Sequence, residues 1–372
     1  MASTTEPLDL YDIALLISYE YTLAKPEFRG ARLIDVTSRD KLFPMLPGWN
    51  EGIPEWRVIP GQSREAYLFD KTIPNTSSEP DSPSNLLWEK MFPGDNIPFL
   101  RNGQPAAVSL LSPRELETIF YTSRNFNACG QTTGVLWRVL DMYSKDQRIR
   151  IRTTTGKMFT TTVDRRFFQR LILHRPKKLT VIVAKVHDSA TEESVWFTGA
   201  KASMNHMTIG FFAEHENKVS VVLDLSSMQF GELGRGLKSN GMFALESTTQ
   251  YHERLKTLAG NVEHIADYRY TTEQGKATPE WAKDVSRRVK ERWDRRDTDP
   301  WCGHCGAPST VGKPLKKCMR CLKVWYCDAQ HQKVNWQFHK QYCSGQLEVM
   351  IAQEAAARDE SKIIHYHHLV VE

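Results

Sequence analysis

"YCDAQHQKVNWQFHKQYC", Tyr326 to Cys343, places Cys327, His331, His339 and Cys343 at spacings of four, eight and four residues. Toward the N terminus the pattern continues as Cys302-x2-Cys305-x12-Cys318-x2-Cys321-x5-Cys327. Six of the seven cysteines lie in this segment, and Cys129 alone lies elsewhere. Each CxxC is a short knuckle that turns two sulfurs toward one ion, and eight ligands supply two tetrahedral zinc sites. Paired in chain order they make two independent sites. Interleaved, the first and third pairs take one ion and the second and fourth take the other. The spacing does not choose between these. Free reduced thiols, the competing reading, have no need of this spacing.

The CxxC, CxxC, "YC" and "HQ…W…HK…C" run resembles a MYND-type zinc finger. The resemblance implies the interleaved arrangement, with Cys302, Cys305, Cys327 and His331 on one zinc and Cys318, Cys321, His339 and Cys343 on the other. It also implies a protein-interaction module that binds proline-containing peptides. One departure is visible: His331 stands where the family carries Cys, which leaves Cys3His at both sites. Four protein ligands per ion leave no open position, so both zinc ions are expected to be structural, with no other cofactor. His304, inside the first knuckle, is out of register and is expected to be exposed. Trp336 is expected in the small core of the finger. From 302 to 343 there are seven Lys/Arg and one Asp. That balance suits an acidic partner or merely a solvated basic face.

The rest of the chain excludes some classes of function. Net charge is +5 over 372 residues with both signs interspersed, so nucleic acid is not indicated. No apolar run approaches the ~18 residues of a membrane helix. "MASTTEPLDLYDIALL" lacks the basic start of a secretory signal. The expectation is an intracellular protein in a reducing compartment, with nucleus and cytoplasm unresolved. Cysteines clustered as ligands fit that compartment. "SRRVKERWDRR" and "IIHYHH" are read as a solvated helix and an incidental tail, not as an import signal or a third metal site.

The predicted architecture is an α+β N-terminal domain with an antiparallel sheet, followed by a small two-zinc finger. Residues 1–100 are read as irregular with one helix (8–24), and 72–85 as an exposed loop. Residues 101–275 form the α+β domain, 276–300 a charged helical connector, 301–343 the finger and 344–372 a tail. "SPRELETIFYTSR" opens a helix by a capping box, Ser112 with Glu115, and Pro113 suits the first turn. A second helix is expected to begin near Cys129. Strands are expected at 178–186, 194–199, 206–213 and 218–225, the last two forming a hairpin.

A second constellation lies ahead of the finger. Cys129 is placed at a helix N-terminus, His206 on one strand and Asp224 on the next. That order resembles papain-like and transglutaminase-like cysteine hydrolases. The resemblance implies a thiol nucleophile, a histidine base and an orienting carboxylate, with Asn125 or Asn127 in an oxyanion hole. The bland alternative is a small buried Cys, a His bonded to backbone and an Asp capping a turn. A SET-type methyltransferase is not supported, because "NHM" at 205–207 runs into a strand without the Pro-Asn that family needs.

Overall fold

The computed structural model describes residues 6–37, 61–71, 80–87, 107–185, 193–213, 218–236, 240–265 and 279–353. Most of "KLFPMLPGWNEGIPEWRVIPG", residues 72–79 of the expected exposed loop, and "IIHYHH" lie outside them. In chain order the strands are β1 (Leu8–Asp9), β2 (Arg32–Val36), β3 (Ser63–Asp70), β4 (Arg148–Arg152), β5 (Met158–Thr162), β6 (Arg166–Pro176), β7 (Lys178–Lys185), β8 (Glu193–Thr198), β9 (Ser203–Phe212), β10 (Val219–Asp224), β11 (Ala244–Ser247), β12 (Ala259–Ile265), β13 (Lys316–Lys317) and β14 (Trp325–Tyr326). The helices are α1 (Leu10–Ala24), α2 (Pro113–Asn125), α3 (Cys129–Asp141), α4 (Thr248–Leu258), α5 (Glu280–Asp294) and α6 (Ala329–His339).

The N-terminal region is a mixed α/β body with antiparallel sheets. One sheet has the order β11-β10-β9-β6-β12 and is antiparallel throughout. A second has the order β2-β3-β7-β8, with β3 and β7 parallel. Against this body stands the small β13-β14 ribbon of the finger.

Helix α1 is apolar nearly all round, which is the mark of a buried helix. Leu10, Ile13, Leu15, Leu16 and Ile17 are all buried, and α1 packs on α5, α3 and β4. Asp9 caps it by accepting from the Asp12 N–H at 3.3 Å. The expected capping box at Ser112 is present. The Glu115 N–H donates to Ser112 Oγ, and the Ser112 N–H donates to Glu115 Oε2 at 2.8 Å. Helix α5, read as a charged connector, turns Ala282, Val285, Val289 and Trp293 into the core. Most of its charges lie on the other face, while Arg292 is buried against Glu20, so the basic run is largely the solvated side of a packed amphipathic helix.

One hydrophobic core runs from Leu8 in β1 to Phe338 and Tyr342 of the finger. In the segment read as an exposed loop, Asp81 is buried instead. Arg32 Nη1 donates to it at 3.0 Å, and the Gly30 N–H donates at 2.8 Å. A carboxylate with those partners is held in place, whatever the polarity of its sequence neighbours.

Candidate metal centre and a buried cysteine constellation

In the finger, the two CxxC turns and helix α6 bring the ligands into two clusters. Cys302, Cys305, Cys327 and His331 form one, and Cys318, Cys321, His339 and Cys343 form the other. The pairing is therefore interleaved. Helix α6 starts where Asp328 accepts the His331 N–H at 2.8 Å, and its two histidines serve different clusters. With Zn–S near 2.3 Å and Zn–N near 2.0 Å, tetrahedral ligands sit roughly 3.5–3.8 Å apart. The observed spacings match that geometry. Cys302 Sγ lies 3.4 Å from His331 Nδ1, Cys305 Sγ 3.7 Å from Cys327 Sγ, and Cys321 Sγ 3.4 Å from His339 Nε2. The two clusters fit two zinc ions, each closed by four protein ligands.

Trp336 packs half-buried in the finger cluster as expected, and Trp325 lies under Lys317 at 4.6 Å. His304 does not follow expectation. It is buried, and its Nε2 meets Glu117 Oε1 of α2 at 3.0 Å. Its neighbours explain this, because the whole first knuckle is pressed into the body. Tyr11 Oη donates to Gly303 O at 3.0 Å and accepts from Asn335 Nδ2 at 2.9 Å. Arg292 Nη2 donates to Gly306 O at 2.7 Å. Gly306 has φ 78°, and a Cβ there would fall 2.8 Å from Leu15 O. Glycine alone satisfies both constraints. On the far side, Tyr342 Oη donates to Thr153 O at 2.7 Å.

Outside the finger, α3 begins at Cys129 and packs on β9. Strands β9 and β10 pair antiparallel with Leu223 opposite Ile209. That register sets Asp224 beside Thr208, and His206 is one diagonal step further on the same face, within side-chain reach. His206 Nε2 meets Asp224 Oδ2 at 2.7 Å, and both residues are fully buried. Cys129 is half-buried, and its thiol donates to Asn205 O at 3.9 Å. Burial works against a charge on the imidazole. The charge and hydrogen bond of Asp224, together with the hydrogen-bonding Cys129 sulfur, outweigh burial and push His206 up to about 10. Tyr251 Oη also donates to Asp224 Oδ2 at 3.1 Å, while Ser226 donates to Oδ1 through its N–H at 3.1 Å and its hydroxyl at 3.2 Å. Of the two asparagines, Asn125 is buried with Nδ2 donating to Tyr121 O, and Asn127 is exposed at φ 47°.

Ser226, Gln229, Tyr251, Glu117 and Tyr11 also take part, and, Ser226 apart, no motif in the sequence singles them out. "DLSS" carried a signal for Ser226, since an Asp followed two residues later by a backbone donor is an Asx turn. The others are brought in by elements far away in the chain.

No solved structure matches the chain. The finger segment matches the family model described as MYND finger over residues 302–343. With that match and two four-ligand clusters that fit zinc, residues 302–343 are a MYND finger.

Proposed function

We propose that this chain is an adaptor whose finger presents its second knuckle to a peptide. The observation that carries this is the exposure of that knuckle. Val311, Met319 and Leu322 stand free among the cations Lys316, Lys317 and Arg320. Exposed apolar groups beside charge are a common form of protein-binding surface. Family likeness supports a proline-containing peptide. Six thiols kept as zinc ligands are best preserved in a reducing compartment, which supports an intracellular location. Among the described residues no helix is long and apolar enough to cross a membrane. The test is fluorescence anisotropy with labelled proline-containing peptides and the zinc-loaded chain. Saturable binding lost in Met319→Asp and Leu322→Asp supports the proposal. Binding unchanged in both variants moves the partner surface elsewhere.

A second reading is favoured by the buried pair of His206 and Asp224, with the Cys129 sulfur near enough to raise the imidazole pKa. It is a cysteine hydrolase or amide-transferring enzyme to which the finger delivers substrate. The thiol proton passes to His206 Nδ1, because Nε2 is committed to Asp224. The thiolate adds to a carbonyl carbon, the C–N bond breaks, and the amine leaves with the imidazole's proton. Water or a second amine then releases the acyl group and restores the thiol. Alkylation of Cys129 at neutral pH, slowed in His206→Ala, supports this reading. A rate indifferent to His206 removes it.

A further inference from the structure

We propose that Gln229 is a lock on the Cys129 centre: its amide occupies the imidazole nitrogen that must receive the thiol proton. The inference rests on the reading of Cys129, His206 and Asp224 as an acyl-transfer site, and it concerns how that site is held idle.

Gln229 Nε2 lies 3.1 Å from His206 Nδ1 and 3.3 Å from Ser226 Oγ. An amide nitrogen only donates, so Nδ1 must accept. His206 Nε2 must then carry the ring proton that it donates to Asp224. Ser226 Oγ gives its proton to Asp224 Oδ1 and accepts from Gln229. The bonds close into a ring: His206 to Asp224, Asp224 to Ser226, Ser226 to Gln229, and Gln229 back to His206. With the amide in this orientation every member has one role and the imidazole is held neutral, against the pull of Asp224 and the Cys129 sulfur that raises His206 to about 10. Within this ring no lone pair remains on the imidazole for the Cys129 proton.

Other groups facing the imidazole oppose this state. Asp224 and the Cys129 sulfur favour a second proton on it, the edge of Phe230 lies against it at 5.4 Å between centroids, and Tyr251 stands behind Asp224 from α4. Gln229 is the group whose N–H points at the site where that proton would sit. Its other atom, Oε1, is buried without a hydrogen-bond partner. Turning the amide end for end sets that oxygen, an acceptor, against Nδ1–H and stabilises the imidazolium that thiolate formation requires. The lock thus has a second position already built in, at the cost of its bond to Ser226.

The mounting suits a moving part. Gln229 sits on a short 3-10 segment, Ser227–Gly234, kinked at Gly231 with φ 60° and ψ −138°. The far end is tied to α2: Arg114 and Thr118 donate to Glu232, and Arg235 Nη1 meets Glu117 Oε2 at 2.9 Å. Helix α2 leads directly into Cys129, so one helix frames both the nucleophile and its lock.

The experiment alkylates the full-length, zinc-loaded chain with iodoacetamide from pH 5 to 9. Peptide mass spectrometry reads the rate at Cys129 separately from the finger cysteines. Gln229→Leu removes the donor, and Gln229→Glu keeps the size and supplies an acceptor should the first variant fold poorly. The expected result is a rise of about tenfold or more at pH 7 in either variant, extended to lower pH and cancelled by His206→Ala, because the thiolate is the reacting form. An unchanged or slower rate in both variants, with the wild-type rate still dependent on His206, overturns the lock and leaves the centre standing. A rate indifferent to His206 in every background removes the centre, and the lock falls with it.

Discussion

The two CxxC knuckles of the finger share a spacing and differ in everything around it. The first, Cys302 to Cys305, is enclosed: Tyr11, Glu117, Arg292 and the backbone of α1 meet Gly303, His304 and Gly306. The second, Cys318 to Cys321, faces solvent, with Met319 and Leu322 exposed on either side of its turn. The same ligand chemistry therefore serves two ends. One zinc site pins the finger to the body, and the other shapes a surface. It follows that the first site belongs to the fold of the body as much as to the finger.

The largest effect expected of that difference is on metal loss. A structural zinc contributes on the order of 10 kcal/mol to the unit it organises. Cys302→Ser is expected to raise amide exchange in α1 and α5 as well as in the finger. Cys318→Ser is expected to leave α1 and α5 protected. Equal loss of protection in both variants breaks the comparison.

Next is the brace on the far side of the docked face. Asp9 is buried between Arg150 and Arg152, whose side chains reach it at 2.9 and 2.8 Å. The Arg152 guanidinium also lies over the rings of Tyr11, Phe338 and Tyr342. Asp9→Asn leaves buried cations short of a partner and is expected to cost about 3–5 kcal/mol in urea unfolding. Burial pushes the Asp9 carboxyl up, but the two arginines outweigh it and hold it below its ordinary 3.8. Its contribution is therefore fully present above that value and is lost as pH falls through the lowered folded one. Stability of the wild type is expected to drop more steeply than that of Asp9→Asn as pH is taken below about 4.

A smaller effect tests the first knuckle directly. Tyr11→Phe strips hydrogen bonds from Gly303 O and Asn335 Nδ2 without changing the packing. The expected loss is about 1–3 kcal/mol. The smallest belongs to the exposed knuckle. Met319→Ser is expected to change stability by no more than about 0.5 kcal/mol, yet to weaken peptide capture. If it destabilises the chain as much as Tyr11→Phe does, the second knuckle is not a free surface.

Legibility followed the range of the interactions. The capping box at Ser112 and the start of α3 at Cys129 are local patterns, and both stand where the sequence placed them. The ligand set was legible as eight residues, because zinc accepts few residue types at few spacings. His304 was misread because spacing reports on ligation and says nothing of what packs over a knuckle. Helix α5 read as charged because its apolar stripe, Ala282, Val285 and Val289, is sparse among nine charged residues. Gln229 was invisible: its partner lies 23 residues away, and only the turn after β10 carries it back.

By itself, then, the sequence determined the chemistry: eight zinc ligands, one cysteine left over, a chain rich enough in apolar residues to bury α1. These follow from residue type and short-range geometry, where the backbone allows few answers. Tertiary structure alone decided that one knuckle is inside and the other outside, and that Gln229 joins the buried pair of His206 and Asp224. Those outcomes depend on strand register and helix packing between distant segments, where each contact is weak and only the complete core selects the arrangement.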